Sequence, residues 1–192
     1  MELILVRHTT PQVAPGICYG QLDCPLTRNG HLEMERTMAL VQKDLEENIP
    51  IFTSPLKRCA VLAQKMSPNA QIDIRLKEMN FGIWEGKPWA DIKDEKYQYW
   101  IADFVNRAAP GGESLSDLDQ RIQHFFEELQ AQNLGKALIV AHSGVIRCFL
   151  RMALQFPLSQ LYTLPLNYGS VCRMQLSKKS GHLHKITAFN VV

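Results

Sequence analysis

Two short apolar runs, Leu3-Ile4-Leu5-Val6 and Ala137-Leu138-Ile139-Val140, stand far apart in the chain, and each passes into polar residues: Arg7-His8 after the first, His142 behind Ala141 after the second. A strand with no polar alternation is covered on both faces, which is the situation of parallel strands in a sheet flanked by helices. Further strand candidates are 50–53, 71–74, 170–176 and 183–189, beside 2–7 and 137–141 for the two runs themselves. Stretches of helical period lie between most of them, so the expected fold is α/β, a three-layer α/β/α sandwich with a mostly parallel sheet. The last two candidates, separated by Lys178 to Gly181, read as a hairpin and predict an antiparallel edge. In open sheets of this kind ligands bind outside the carboxyl ends of the strands, where Arg7-His8 and His142 are expected to sit.

The intervening segments carry their own signals. Thr27 to Glu47 has a helix-like scatter of apolar residues. Ser54-Pro55 predicts a helix from Pro55 to about Met66, with Ser54 as N-cap and Pro55 at the first helical position. Leu115, Leu118, Ile122, Phe125 and Leu129 step by three and four behind Ser114, with Asp117 three positions on, the pattern of a capped amphipathic helix. Pro110-Gly111-Gly112 before it is a loop. The Trp- and Tyr-rich stretch Lys87 to Arg107 is expected to be helical and to cover the site.

Composition narrows the function. At 192 residues the chain fits one domain, 1–192. A net charge of +2 offers no broad basic face, so nucleic acid is not an expected partner. Five cysteines, with no Cys-x-x-Cys pair, suggest reduced thiols in the cytoplasm rather than a disulfide framework or a zinc ribbon. Met1 to Val6 is too short for the apolar core of an export signal, and no run approaches the roughly 20 residues of a membrane span, so a soluble protein without a membrane partner is expected. There is no Asp-rich cluster and no His-x-x-x-His spacing, so neither metal nor other cofactor is expected.

The chemistry is written in segments. A neutral imidazole such as His8 can attack phosphorus and split one displacement into two, while the adjacent Arg7 can bind phosphate oxygens bidentately. Arg58, one turn into the helix after Ser54-Pro55-Leu56-Lys57, can add a second guanidinium near a helix N-terminus. In Leu76-Lys77-Glu78-Met79-Asn80-Phe81-Gly82-Ile83-Trp84-Glu85-Gly86, a partly buried carboxyl group can serve as general acid; Glu78 is the preferred candidate and Glu85 the rival. His142, followed by Ser143-Gly144-Val145-Ile146-Arg147, can donate to a phosphate oxygen and stabilises charge best if protonated.

Taken in order, these segments, together with Pro110-Gly111-Gly112-Glu113-Ser114, resemble the motifs of the histidine phosphatase superfamily, the phosphoglycerate mutase-like proteins, over residues 3 to 147. The resemblance implies a phosphoglycerate mutase-like fold and phosphomonoester hydrolysis through a phosphohistidine on His8, with Glu78 as proton donor and then base, and Arg7, Arg58 and His142 as the phosphate pocket. Within the superfamily, Cys18-Tyr19-Gly20-Gln21-x-Asp23-x-Pro25-Leu26-Thr27 and the compact length look most like the alpha-ribazole phosphatases of cobalamin synthesis, which implies a small phosphorylated metabolite as partner. The usual Arg-His-Gly-Glu-Thr opening is replaced by Arg7-His8-Thr9-Thr10-Pro11, where Thr9 could supply a hydroxyl. Tyr19, Gly20, Glu113 and Ser143 are expected on the substrate side. Phosphoglycerate mutase-type transfer, a broad sugar phosphatase and a non-catalytic phospholigand module are the competing readings.

Overall fold

In the computed structural model, which describes residues 1–177 and 184–192, Leu3, Ile4, Leu5 and Val6 are all inaccessible to solvent and form the centre of strand β1 (Glu2–Arg7). Their alternation divides them between two cores: Leu3 and Leu5 pack with one cluster, Ile4 and Val6 with the other. Around β1 the chain builds α1 (Arg28–Glu46), β2 (Ile51–Thr53), α2 (Lys57–Met66), β3 (Gln71–Ile72), α3 (Glu95–Ile101), α4 (Leu115–Ala131), β4 (Lys136–Ala141), α5 (Ser143–Leu154), β5 (Val171–Gln175) and β6 (Lys185–Val191). The strands form one sheet in the order β3-β2-β4-β1-β5-β6. Helices α4 and α5 bury Leu115, Leu118, Ile122, Phe125 and Phe149 on the Leu3/Leu5 face, while α1 and α2 bury Met34, Val41, Cys59 and Leu62 on the other. This is the three-layer α/β/α arrangement.

The pairs β3-β2, β2-β4 and β4-β1 are parallel, and β1-β5 and β5-β6 are antiparallel, so the sheet is mostly parallel with its antiparallel pairings at one edge. The turn expected at Lys178 to Gly181 lies outside the described residues. The expected 71–74 strand shrinks to Gln71–Ile72, both exposed, because Asp73 caps a 3₁₀ turn over Ile74–Leu76 by accepting from the Arg75 N–H. α1 begins behind Thr27 and α4 behind the Ser114–Asp117 capping box, as their sequences predict.

Two helical expectations are corrected. α2 starts at Lys57 rather than Pro55, and Ser54 is not its cap; the Lys57 N–H is met by Asp23 from a distant loop at 2.7 Å. The Lys87–Arg107 stretch is α-helical only over α3, with a 3₁₀ turn at Trp89–Asp91, because Trp89, Tyr97 and Trp100 join Phe81 and Trp84 in one aromatic cluster instead of forming a single helical stripe.

The segment carrying Glu78 is fastened to the Pro110–Glu113 loop through backbone. Ile83 N–H donates to Pro110 C=O at 3.0 Å and Glu113 N–H to Asn80 C=O at 2.9 Å, and Gly82, at φ +55°, leaves no room for a Cβ beside the Pro110 carbonyl oxygen. Gly82→Ala combines a left-handed backbone with a backbone clash, and is expected to cost about 2 kcal/mol or more, read as a thermal midpoint lower by about 4 °C or more in scanning calorimetry.

Candidate active site

Parallel register is what brings the two histidines together. β1 and β4 align Val6 with Val140 and Arg7 with Ala141, and the His8 N–H continues the ladder to Ala141 C=O at 3.0 Å. His8 and His142, the next residues on neighbouring strands, therefore stand side by side with ring centroids 5.1 Å apart. β2 ends beside β4, with Thr53 opposite Val140, so the chain leaving β2 delivers Arg58 to the same edge. His8, Arg58 and His142 are all buried to within 1% of full.

The hydrogen bonds decide the tautomers. The Arg58 Nε–H donates to His142 Nδ1 at 3.2 Å, and because a guanidinium only donates, Nδ1 carries the lone pair. The proton then sits on Nε2, which donates to Ser54 Oγ at 2.8 Å. Ser54 thus serves His142 instead of capping α2. Burial first, then the charges of Arg58 and its neighbours, hold His142 well below the ordinary imidazole value, so it is neutral, without the proton that would make it the best stabiliser of negative charge. In His8, Nδ1–H donates to the Thr9 carbonyl at 2.8 Å, which leaves the lone pair on Nε2. Burial, then Arg58 and Arg7, lower His8 in the same way.

Arg58 also donates once from each terminal nitrogen, to the Leu22 and Gly20 carbonyls, each at 2.6 Å, and its guanidinium lies 5.1 Å from the Tyr19 ring centre. Arg7 donates to the Leu166 carbonyl and lies 3.9 Å over the ring of Tyr168. Glu78 accepts from the Met79 N–H at 3.0 Å on one oxygen and from the Gly144 N–H at 3.1 Å on the other; a Cβ on residue 144 would overlap that carboxylate. Each oxygen keeps a second lone pair for a proton. The rival Glu85 has an oxygen accepting from both Gln21 and Phe81 N–H groups, at 2.9 and 3.0 Å, and braces the turn at Gly20.

A cavity of about 300 Å³ is lined by Arg7, Tyr19, Gly20, Glu78, Ser143 and Arg147 among others, while the buried His8, Arg58 and His142 are not among its lining residues. Glu113 is not among its lining residues, contrary to expectation: its carboxylate pairs with Arg121 at 2.6 Å and accepts from the Asn80 N–H, while Arg121 also donates to the Glu78 carbonyl, so Glu113 supports the Glu78 segment from behind. Thr9 is likewise fully buried away from the cavity, its hydroxyl without a partner. In the altered loop, Thr10 is held by Glu33 of α1 through its N–H and hydroxyl, both at 2.9 Å.

Arg147, Tyr162, Tyr168, Phe81 and Ile17, none of them a predicted site residue, also line the cavity, as do Gly144 and Trp89, the latter from the stretch expected to cover the site. Arg147 had a usable signal, since it lies one helical turn after Ser143 and donates to its hydroxyl. Tyr168 had none: it reaches His8 from the far end of the chain. Among the described residues no helix is long and apolar enough to cross a membrane, and no group of three or more His, Cys, Asp or Glu is placed to hold a metal ion.

A family model described as the histidine phosphatase superfamily (branch 1) matches residues 3–188. Phosphoserine phosphatase 1 of Hydrogenobacter thermophilus is 24% identical, over 97% of this chain and 92% of its own. The adenosylcobalamin/alpha-ribazole phosphatase of Salmonella typhimurium is 29% identical, over 88% of this chain and 87% of its own. The crystal structure of the alpha-ribazole phosphatase from Shigella flexneri shares the fold with a TM-score of 0.85 at 23% identity, covering 99% of this chain and 96% of that one. With a family model spanning nearly the whole chain and the matching fold beneath it, the protein belongs to branch 1 of the histidine phosphatase superfamily.

Proposed function

We propose that the protein is a metal-independent phosphomonoesterase acting through a phosphohistidine, and that it converts alpha-ribazole 5′-phosphate to alpha-ribazole and phosphate in cobalamin synthesis. The observation that carries the reading is the state of His8: neutral, with Nδ1–H on the Thr9 carbonyl and the Nε2 lone pair unengaged, and with its pKa lowered by burial and by the charges of Arg58 and Arg7. In the first step Nε2 attacks phosphorus, the bond to the leaving oxygen breaks, and that oxygen takes a proton from the Glu78 carboxyl group. In the second, water attacks the phosphohistidine, gives a proton to Glu78, and the P–N bond breaks to release phosphate and neutral His8. Arg7 and Arg58 carry the charge of the phosphoryl oxygens, with neutral His142 fixing the Arg58 guanidinium.

For the leaving group, the relatives' names divide between alpha-ribazole and phosphoserine. The cavity wall favours the first. Tyr19, Phe81, Trp89, Tyr162 and Tyr168 line it, offering flat apolar surfaces suited to a heterocyclic base rather than to a small zwitterion.

His8→Ala is expected to lower kcat by about 10⁴-fold or more, with no label retained after rapid quench with a radiolabelled monoester. Near-normal turnover in that variant would end the covalent mechanism. Glu78→Gln should cost about 10²- to 10⁴-fold on an alkyl monoester and much less on p-nitrophenyl phosphate, whose leaving oxygen needs no proton. In a substrate panel, alpha-ribazole 5′-phosphate should exceed phosphoserine in kcat/KM by about 10-fold or more, the value of one good stacking contact; the reverse order would reassign the substrate.

The acid limb of kcat/KM set by His8 should lie below pH 6.5, where its lone pair is lost to a proton. Stability follows the same sign. Because both imidazoles titrate lower when folded, the unfolded chain takes up protons first, and their contribution, complete above pH 6.5, is lost as pH falls below it; denaturant titrations across this range measure the loss.

A further inference from the structure

The segment Leu164–Ser170 lies outside every motif that pointed to the site, yet it touches the nucleophile dipeptide at four places. Arg7 N–H donates to Ser170 C=O at 2.9 Å, Gly169 N–H donates to His8 C=O at 3.1 Å, the Arg7 guanidinium donates to Leu166 C=O, and the Tyr168 ring lies between the two side chains. Gly169, at φ +69°, makes the turn that aims Tyr168 inward, and its carbonyl accepts from the buried Thr37 hydroxyl of α1 at 3.1 Å.

Tyr168 itself is held from both sides. Its ring is 5.5 Å from that of His8 at a tilt of 41°, and its face lies under the Arg7 guanidinium at 3.9 Å. Its hydroxyl meets that of Tyr19 at 3.2 Å, and Tyr19 in turn faces Arg58. Arg7 needs such a support. Its Nε is buried without a hydrogen-bond partner, and no carboxylate pairs with it among the described residues, so the Leu166 carbonyl and the Tyr168 face are what orient the fork. A guanidinium stacked on an aromatic ring gives up less freedom when it later grips an anion.

We propose that Tyr168 is a positioning residue: its ring face holds the Arg7 guanidinium in the orientation that binds the phosphoryl group, beside His8, and this role belongs to the ring and not to the hydroxyl. The inference rests on the reading of Arg7 as a phosphate ligand, so it is tested on binding rather than turnover.

Inorganic phosphate is titrated calorimetrically into the full-length protein and its variants. Tyr168→Leu is expected to weaken phosphate by about 3- to 30-fold, the range of a cation–π contact, while Tyr168→Phe stays within about twofold of wild type. In an Arg7→Ala background Tyr168→Leu should cause no further loss, because the ring's partner is already gone. Undiminished affinity in Tyr168→Leu overturns the proposal, and so does an equal loss with and without Arg7, which would mark Tyr168 as mere packing. Should Tyr168→Leu fail to fold, Tyr168→Met, closer in length and equally without a ring face, takes its place in the same cycle. If Arg7→Ala alone binds phosphate like wild type, Arg7 is not a phosphate ligand, an outcome that removes the reading beneath the proposal and is distinct from the failure of Tyr168.

Discussion

A guanidinium buried without a carboxylate organises this molecule's working edge. Arg58 is fully inaccessible, and among the described residues no acid pairs with it, so its donors must be met by neutral acceptors. The carbonyls of Gly20 and Leu22 and the Nδ1 of His142 meet them. That requirement fixes three things together: the path of the loop after His8, the tautomer of His142, and a positive charge near His8 that no carboxylate pairs with directly among the described residues. Burial first, then this same charge, keeps the two imidazoles beside it neutral.

The Glu78 side of the site is built by different means. Glu78 sits on a segment with little regular structure, and its placement comes from backbone locks: the Pro110–Glu113 loop on one side, the N-terminal turn of α5 on the other, and Arg121 with Gln21 on its carbonyl. Glycines at 82, 112 and 144 allow these approaches, since a Cβ at any of them would overlap Pro110, Asn80 or Glu78. The carboxylate is thereby fixed on an irregular stretch nearly as firmly as a strand end would fix it.

The aromatic wall of the cavity comes from yet another region. Phe81 and Trp89 belong to an aromatic cluster centred on Trp84 and Trp100, so the wall of the cavity is continuous with the core and is shaped by it. One end of the site presents charge and fixed tautomers, the other shape and ring faces. The two ends meet at Tyr19 and Tyr168, which each face an arginine and share a hydroxyl contact.

By itself the sequence determined the strands that are buried on both faces and the side chains that follow them. Leu3–Val6 and Ala137–Val140 read as strands covered on both faces, which placed Arg7, His8 and His142 at strand ends, while Arg58 was read from the segment behind Ser54 and Glu78, with Glu85 as its rival, from Leu76–Gly86. The amphipathic helix behind Ser114 was readable for the same local reason, a period and a cap close together in the chain. What only the tertiary structure decided was every role set by a distant partner. Ser54 turned from helix cap to acceptor for His142 because Asp23 took over the cap, Glu113 turned from substrate contact to support because Arg121 claimed it, and Tyr168 arrived beneath Arg7 from the opposite end of the chain. Local spacing carries periodicity and capping, which act within a few residues. Which donor meets which acceptor across the fold depends on strand register and loop path, and these are fixed only when the whole core closes.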